Sequence, residues 1–281
     1  GQTIGFTVGF MFPMAKIVPL PDFIFFWGTV FVATTLAVWA LKSEAPTSEA
    51  EKLDGIVEAY KEMYAVLKRA PVQKLGLLLF TRSLAFIPAD VMAAGRLQDS
   101  GFPKEHLATI KLFITPLEIV LPWLLSRFTA GPRPLDIILW AYLPRMLLSP
   151  LGGLLAYFAG DIAQPTPAAV YASVFALTIL QGVLSNAMFV SHMAFFAKVS
   201  DPTIGGTYMT FLNTVHNIGN MWTTTACLKA ADQIKTVWGL DGFHVLCAAC
   251  GTYGLVWYVV CRPVVARLQE VPLSEWRVSS D

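Results

Sequence analysis

Five ionisable side chains lie inside long apolar stretches of this sequence: Arg82, Asp90, Lys111, Glu118 and Arg145. A charge at the centre of a membrane helix costs about 2.5–3.5 kcal/mol on insertion scales, so such residues are by default paired or functional. Arg82 and Asp90 are eight residues apart, with Pro88 between them, and Lys111 and Glu118 share one helical face. One interpretation is a cavity lining that meets a charged solute.

The alternative interpretation is structural ion pairing between neighbouring helices, for example between Arg82 and Glu118. For Arg82, Asp90 and Glu118 the two interpretations have equal weight. For Arg145 and Lys111 the structural one is favoured, because a lysine near the end of a span can extend its ammonium group to the membrane surface.

A polar stripe runs along the stretch 204–229, with members three or four residues apart: Gly206, Thr210, Asn213, Asn217, Asn220 and Thr224. His216 lies beside this stripe. An amide facing lipid loses its hydrogen bonds at a cost of a few kcal/mol, so the stripe is expected to face a water-filled cavity or other helices. Asparagines also hold membrane helices together by hydrogen bonds, and this packing interpretation stays open. The stretch 168–196 adds four polar residues: Gln181, Ser185, Asn186 and His192.

These patterns predict a substrate-binding site formed by Arg82, Asp90, Lys111, Glu118, Arg145, Thr210, Asn213, His216 and Asn217. No catalytic or metal site is predicted, because the histidines show neither triad nor metal-ligand spacing. The C-x-x-C of Cys247 and Cys250 lies in an apolar run and is interpreted as packing.

The composition requires lipid as the main solvent of these elements. The chain of 281 residues is 55% hydrophobic and 14% charged, whereas a soluble domain carries about 25% charged residues. A net charge of +1 does not favour a nucleic-acid-binding protein. The sequence therefore predicts a multi-span, all-α membrane protein embedded in a lipid bilayer.

Eight apolar stretches are candidate membrane spans: 1–20, 22–41, 73–95, 106–126, 135–158, 168–196, 204–229 and 241–262. The polar segment 42–71 separates the first two from the rest. Its SEAE (48–51) has the form of a capping box, and an amphipathic helix with Tyr60 and Tyr64 on its apolar face is predicted to follow. Lys and Arg concentrate in this segment, in other alternate connections and in the C-terminal tail, which predicts a cytoplasmic location for them.

Two spans, a long cytoplasmic loop and six further spans match the plan of the major facilitator superfamily, in which two six-helix halves are joined by such a loop. On that plan, 1–41 forms the last two spans of the first half, 42–71 the loop, 72–262 the complete second half and 263–281 the tail. The chain is then expected to be a fragment that lacks the first spans.

Four segments carry a resemblance to a known family: AKVSDPTIGGTYMTFLNTVHNIG (197–219), GFPKEHLA (101–108), TAGPRPL (129–135) and DFIFFWGTVF (22–31). The sequence resembles the acetyl-coenzyme A transporter family, which belongs to the solute carriers and the major facilitator superfamily. The resemblance runs from Gly1 nearly to the tail. It implies a multi-pass protein of the endoplasmic reticulum membrane that carries acetyl-CoA from the cytosol into the lumen, for acetylation of proteins and of sialic acids on gangliosides.

The resemblance carries no binding residues over to this chain and implies no cofactor, since acetyl-CoA would be the transported substrate. The phosphates of coenzyme A suit an arginine, whose fork donates two hydrogen bonds at once. Three alternatives stay open. They are a permease for another anionic or sugar-peptide solute, a membrane acyltransferase with His192 or His216 as base, and a membrane scaffold without transport activity.

Overall fold

The computed structural model describes residues 19–41, 56–159, 167–202 and 204–277. Within these ranges the chain forms ten α-helices: α1 Leu20–Leu41, α2 Ile56–Leu67, α3 Ala70–Arg82, α4 Ile87–Asp99, α5 Lys104–Thr129, α6 Asp136–Leu148, α7 Leu151–Ala159, α8 Ala168–Val199, α9 Gly205–Trp238 and α10 Gly242–Leu268. A short 3-10 turn at Ser83–Ala85 lies between α3 and α4, and another at Leu273–Glu275 follows α10.

Six segments of the described chain are long and apolar enough to cross a membrane: Pro21–Leu41, Ala70–Asp99, Lys104–Thr129, Asp136–Leu155, Ala168–Val199 and Gly242–Leu268. They coincide with six of the eight predicted spans and confirm an all-helical, multi-span membrane protein. The predicted span 1–20 lies outside the described residues. The predicted span 204–229 is a helix, α9, but its polar stripe leaves it out of this apolar set.

Helix ends follow local sequence signals. Pro71 lies in the first turn of α3, where its missing N–H leaves no hydrogen bond unmade. Gly239 ends α9 with a φ of 64°, a left-handed conformation that favours glycine. The carboxylate of Asp241 then caps α10 by accepting from the Phe243 N–H at 2.9 Å.

Two of the spans are interrupted near their middle, which the sequence analysis did not predict. The span Ala70–Asp99 consists of α3, the 3-10 turn Ser83–Ala85 and α4, with Pro88 in the first turn of α4. Proline has no N–H to continue the ladder of α3, so the chain restarts as a new helix. The span Asp136–Leu155 changes from α6 to α7 at Ser149, before Pro150.

The helices pack around one large and two smaller clusters of buried apolar side chains. Helix α3 packs against α9, α4 against α7, both α5 and α6 against α8, and α10 against α6 and α9. In the core, the Tyr142 ring lies 4.8 Å from the Phe86 ring and stacks at 4.8 Å on Trp257. The apolar window of α1 is 0% buried within the described chain. Such exposure suits a helix surrounded by lipid.

Helix α2 is amphipathic, but its buried face differs from the prediction. Met63 and Val66 pack into the core, whereas Tyr60 and Tyr64, predicted on the apolar face, are 68% and 61% exposed. Tyrosine has a polar hydroxyl on an apolar ring, which is suited to a membrane surface. The capping-box segment 48–51 lies outside the described residues.

The chain after α10 packs against the connection between α8 and α9. Trp276 is 1% exposed and meets Phe195 edge to face at 5.4 Å. The Tyr208 hydroxyl donates to the Trp276 carbonyl at 3.2 Å. The C-terminal segment therefore packs against the end of α8 and the start of α9.

Candidate functional site: a cavity with a buried arginine

A cavity of about 490 Å³ opens where α3, α4, α6, α8 and α9 meet, and we call it the arginine cavity. Its wall consists of Arg82, Ser83, Phe86, Ile87, Asp90, Val91, Arg145, Ser185, Asn186, Met188, Phe189, His216, Asn217, Asn220 and Thr224. Five of the nine predicted site residues lie in this wall: Arg82, Asp90, Arg145, His216 and Asn217. Ligand pockets in proteins are commonly about 300–1,000 Å³, so the cavity is large enough for a small molecule.

Arg82 is the last residue of α3 and is only 5% exposed. One terminal nitrogen lies 3.3 Å from His192 Nδ1, and the other lies 3.4 Å from His216 Nδ1. Its Nε is buried and has no hydrogen-bond partner. Because a guanidinium only donates, each histidine must accept from it through an unprotonated ring nitrogen.

No salt bridge within the described part of the chain includes Arg82. A buried charge normally has an opposite charge as partner, because leaving water costs several kcal/mol per ion. Two neutral histidines satisfy hydrogen bonds of Arg82, and Asp90, the carboxylate in the same wall, pairs with Arg145 instead. A buried arginine without its own carboxylate among the described residues is suited to bind an anion.

Arg145 and Asp90 form the second charged feature of the wall. Their side chains are joined at 2.8 Å, and Arg145 lies over the Phe86 ring at 4.6 Å. Asp90 retains 36% side-chain exposure, while Arg145 has 11%. The wall therefore carries two arginines and one aspartate, which leaves one positive charge (2 − 1) with neutral histidines.

The break between α3 and α4 is what places Arg82 beside the cavity. Carbonyls in the last turn of a helix lack intrahelical donors. Here side chains of neighbouring helices supply them, since the Trp222 indole donates to the Phe80 carbonyl at 2.9 Å and the Tyr253 hydroxyl to the Thr81 carbonyl at 3.2 Å. Gly219 permits α9 to pack this closely against α3, because a Cβ at this position would lie 2.6 Å from the Leu79 carbonyl oxygen.

The polar stripe of α9 divides into two parts. Asn217, Asn220 and Thr224 line the arginine cavity, and the Ser83 hydroxyl donates to the Asn220 side-chain oxygen. Thr210 is exposed and Asn213 half-buried, and neither is part of that wall. The stripe thus faces the cavity only along its C-terminal half.

Lys111 and Glu118 do not join the arginine cavity. They pair with each other at 2.5 Å along α5, so the suggested ion pair between Arg82 and Glu118 is wrong. Lys111 and Glu118 are two turns apart on α5, so their side chains meet on one face of that helix. Arg82 lies on α3, which packs against α9. Lys111 is half exposed and lies in the wall of a separate cavity.

Several wall residues were absent from the predicted set. Ser185, Asn186 and Asn220 had been noted as polar residues at helical spacing, but Ser83, Phe86 and Met188 carried no such signal. His192 is 2% exposed, lies outside the wall and contacts the Arg82 guanidinium. Within the described ranges, no group of three or more His, Cys, Asp or Glu is arranged to hold a metal ion.

Comparison with known proteins identifies the family. The model of the acetyl-coenzyme A transporter 1 family matches residues 46–137 and 133–238. The chain belongs to this family. It is a family of transporters, which disfavours the acyltransferase alternative, and in the described structure both histidines of the site contact a guanidinium rather than a carboxylate.

Two curated relatives of this acetyl-coenzyme A transporter family member come from yeasts. An uncharacterized protein of Schizosaccharomyces pombe is 27% identical over 94% of this chain and 55% of its own length. An uncharacterized membrane protein of Saccharomyces cerevisiae is 24% identical over 78% of this chain and 49% of its own length. The chain thus spans about half the length of the curated relatives it matches. No solved structure matches significantly.

Proposed function

We propose that the protein carries acetyl-CoA from the cytosol across the endoplasmic reticulum membrane into the lumen. The observation that carries this proposal is Arg82, a buried cation with no carboxylate partner in the described chain, on the wall of a cavity of about 490 Å³. Coenzyme A has a diphosphate and a 3′-phosphate. The family membership supports the choice of acetyl-CoA among possible anions.

The wall offers a role for each part of the substrate's polar half. The Arg82 fork donates two hydrogen bonds to a phosphate, and that phosphate supplies the missing negative charge. Arg145 is a second donor if the phosphate competes with Asp90 for it. Asn217, Asn220 and Thr224 offer donors and acceptors to the adenine and to amide groups.

One net positive charge cannot neutralise three phosphate groups. In this proposal the remaining cations come from the part of the transporter that corresponds to the other half of the relatives' length. Acetyl-CoA is the cargo of the cavity, and transport needs no resident cofactor.

A second candidate is a permease for another anionic or amide-rich solute, such as a sugar-peptide. Arg82, which no described carboxylate pairs with, favours any such anion, because a guanidinium recognises carboxylates as well as phosphates. Only competition between solutes separates this candidate from the acetyl-CoA transporter.

The test is uptake of labelled acetyl-CoA into proteoliposomes that contain the full-length gene product, with free CoA, acetate and a sugar-peptide as competitors. We expect saturable uptake that CoA inhibits and acetate does not. Absence of uptake above empty liposomes by folded protein would reject acetyl-CoA as the substrate. Uptake that the sugar-peptide inhibits and free CoA does not would show that the cavity does not recognise the nucleotide part.

A further inference from the structure

A second cavity, of about 330 Å³, lies between α4, α5, α7 and α8, and we call it the side cavity. Small side chains on α4, Ala89, Ala93 and Ala94, leave the space. The apolar part of the opposite wall consists of Leu107, Ile110, Val174 and Leu177 of α5 and α8. Gly152 of α7 comes so close that an added Cβ would lie 3.2 Å from the Ala93 Cβ. The side cavity is therefore narrow and largely apolar.

One polar atom in the wall of the side cavity is unsatisfied. The side-chain oxygen of Gln181 is buried and has no hydrogen-bond partner. The hydroxyls of Thr178 and Ser149, also in this wall, donate to carbonyls of Val174 and Arg145 one turn earlier. A buried acceptor without a donor is destabilising, so the side cavity is suited to a ligand that brings a donor.

The two cavities differ in charge and share one residue. Asp90 lies in the walls of both. The arginine cavity contains Arg82 and Arg145, whereas the cation of the side cavity, Lys111, is already paired with Glu118 at 2.5 Å. A ligand that reaches both cavities would place its anionic part beside the arginines and a slender, apolar part with an N–H group beside Gln181.

From this division we infer that the side cavity binds the acyl-pantetheine arm of the thioester while the nucleotide phosphates bind at Arg82, an inference that rests on the proposed function. The arm is a thin chain with two amide N–H groups and no charge. One amide donates to the Gln181 oxygen, and the acyl thioester end lies among the alanines of α4. The side cavity thereby determines which acyl chains the protein accepts.

Two ligands distinguish the cavities in a binding experiment on the full-length protein in lipid nanodiscs. Acetyl-CoA reaches both cavities, whereas 3′-phospho-ADP has no pantetheine arm and reaches only the arginine cavity. The variants are Gln181→Leu, which removes the acceptor, and Ala93→Phe, which fills the side cavity. Ala176→Phe is the matched control, because Ala176 is exposed on α8 and lies in neither wall.

We expect Gln181→Leu to weaken acetyl-CoA binding roughly tenfold, the loss of one buried hydrogen bond. Ala93→Phe weakens it further, and both variants leave 3′-phospho-ADP binding within about twofold of the wild type, because neither residue lies in the wall of the arginine cavity. Ala176→Phe changes neither. In Ala93→Phe, binding should also weaken progressively as the acyl chain of the ligand becomes longer.

The possible failures are distinguishable. If the folded wild type binds neither ligand, the proposed function fails, and the inference fails with it. If it binds both ligands and the two variants bind acetyl-CoA as the wild type does, only the inference is overturned, as expected if a membrane lipid occupies the side cavity. Equal weakening of both ligands also overturns it, because the variants then act on the whole site.

Discussion

Replacing Arg82 by methionine separates a binding role of this residue from a structural one. Arg82→Met keeps most of the side-chain volume and removes a buried charge that no carboxylate of the described chain compensates. A hydrogen bond to a charged group contributes about 1.5–3 kcal/mol. Since about 1.4 kcal/mol corresponds to a tenfold change, acetyl-CoA affinity should fall about 10- to 100-fold.

The stability of Arg82→Met should stay close to that of the wild type, because relief from burying an ion without a carboxylate partner offsets the loss of the hydrogen bonds to His192 and His216. Arg145→Met is the matched comparison, since it leaves Asp90 without its partner at 2.8 Å. Breaking a buried pair costs about 3–5 kcal/mol, and the 36% exposure of Asp90 reduces this to about 2 kcal/mol. The double variant Arg145→Met, Asp90→Asn should recover much of the loss.

The assay combines acetyl-CoA binding with thermal unfolding of the full-length protein in nanodiscs, for wild type and each variant. Arg82→Lys retains the charge without the fork and should bind with intermediate affinity. Wild-type affinity in Arg82→Met would refute the role of Arg82 in binding. A loss of stability as large as that of Arg145→Met would show that a carboxylate pairs with Arg82.

Three further substitutions test the packing that supports the site, each by thermal unfolding. Gly219→Ala should lower the free energy of unfolding by about 1–3 kcal/mol, because the added Cβ would lie 2.6 Å from the α3 backbone. Gly206→Ala is the control and should not destabilise, because the space around Gly206 is open. Equal effects of the two substitutions would contradict the close approach of α9 to α3. Trp276→Ala should lower the free energy of unfolding by about 3–5 kcal/mol, and Trp238→Ala, at an exposed position, by much less. Equal effects would mean that the C-terminal segment does not pack against the helices. Trp222→Phe should cost about 1 kcal/mol through its lost hydrogen bond of 2.9 Å, and no change would mean that this carbonyl finds another donor.

The spans were predictable because each is a long apolar run of a length that a bilayer requires. The break at Ser83–Ala85 was not, although Pro88 had been noted, since a proline within a span either kinks one helix or starts another. That break decides where Arg82 ends its helix and which neighbours it meets.

The sequence predicts which charged residues of the site lie inside the membrane spans, but not which residues they pair with. Arg82, Arg145 and Asp90 were found because charge inside an apolar run is expensive. The pairing of Lys111 with Glu118 was available from their spacing on one helix, yet the pair of Arg145 with Asp90 joins α6 to α4 and depends on tertiary packing. Periodicity cannot reveal such a contact between separate helices.

The C-terminal segment shows the same limit. Trp276 lies in a short polar region after the last span, where the sequence favours an exposed tail. Its burial depends on a site formed by Phe195 and Tyr208 at the ends of two other helices.

The most direct test of the central claim is a structure of the full-length protein with acetyl-CoA bound. We predict a phosphate group within hydrogen-bond distance of the Arg82 guanidinium, on the wall shared with Asn217 and Asn220. Phosphates bound elsewhere, with Arg82 still contacting only His192 and His216, would contradict the account.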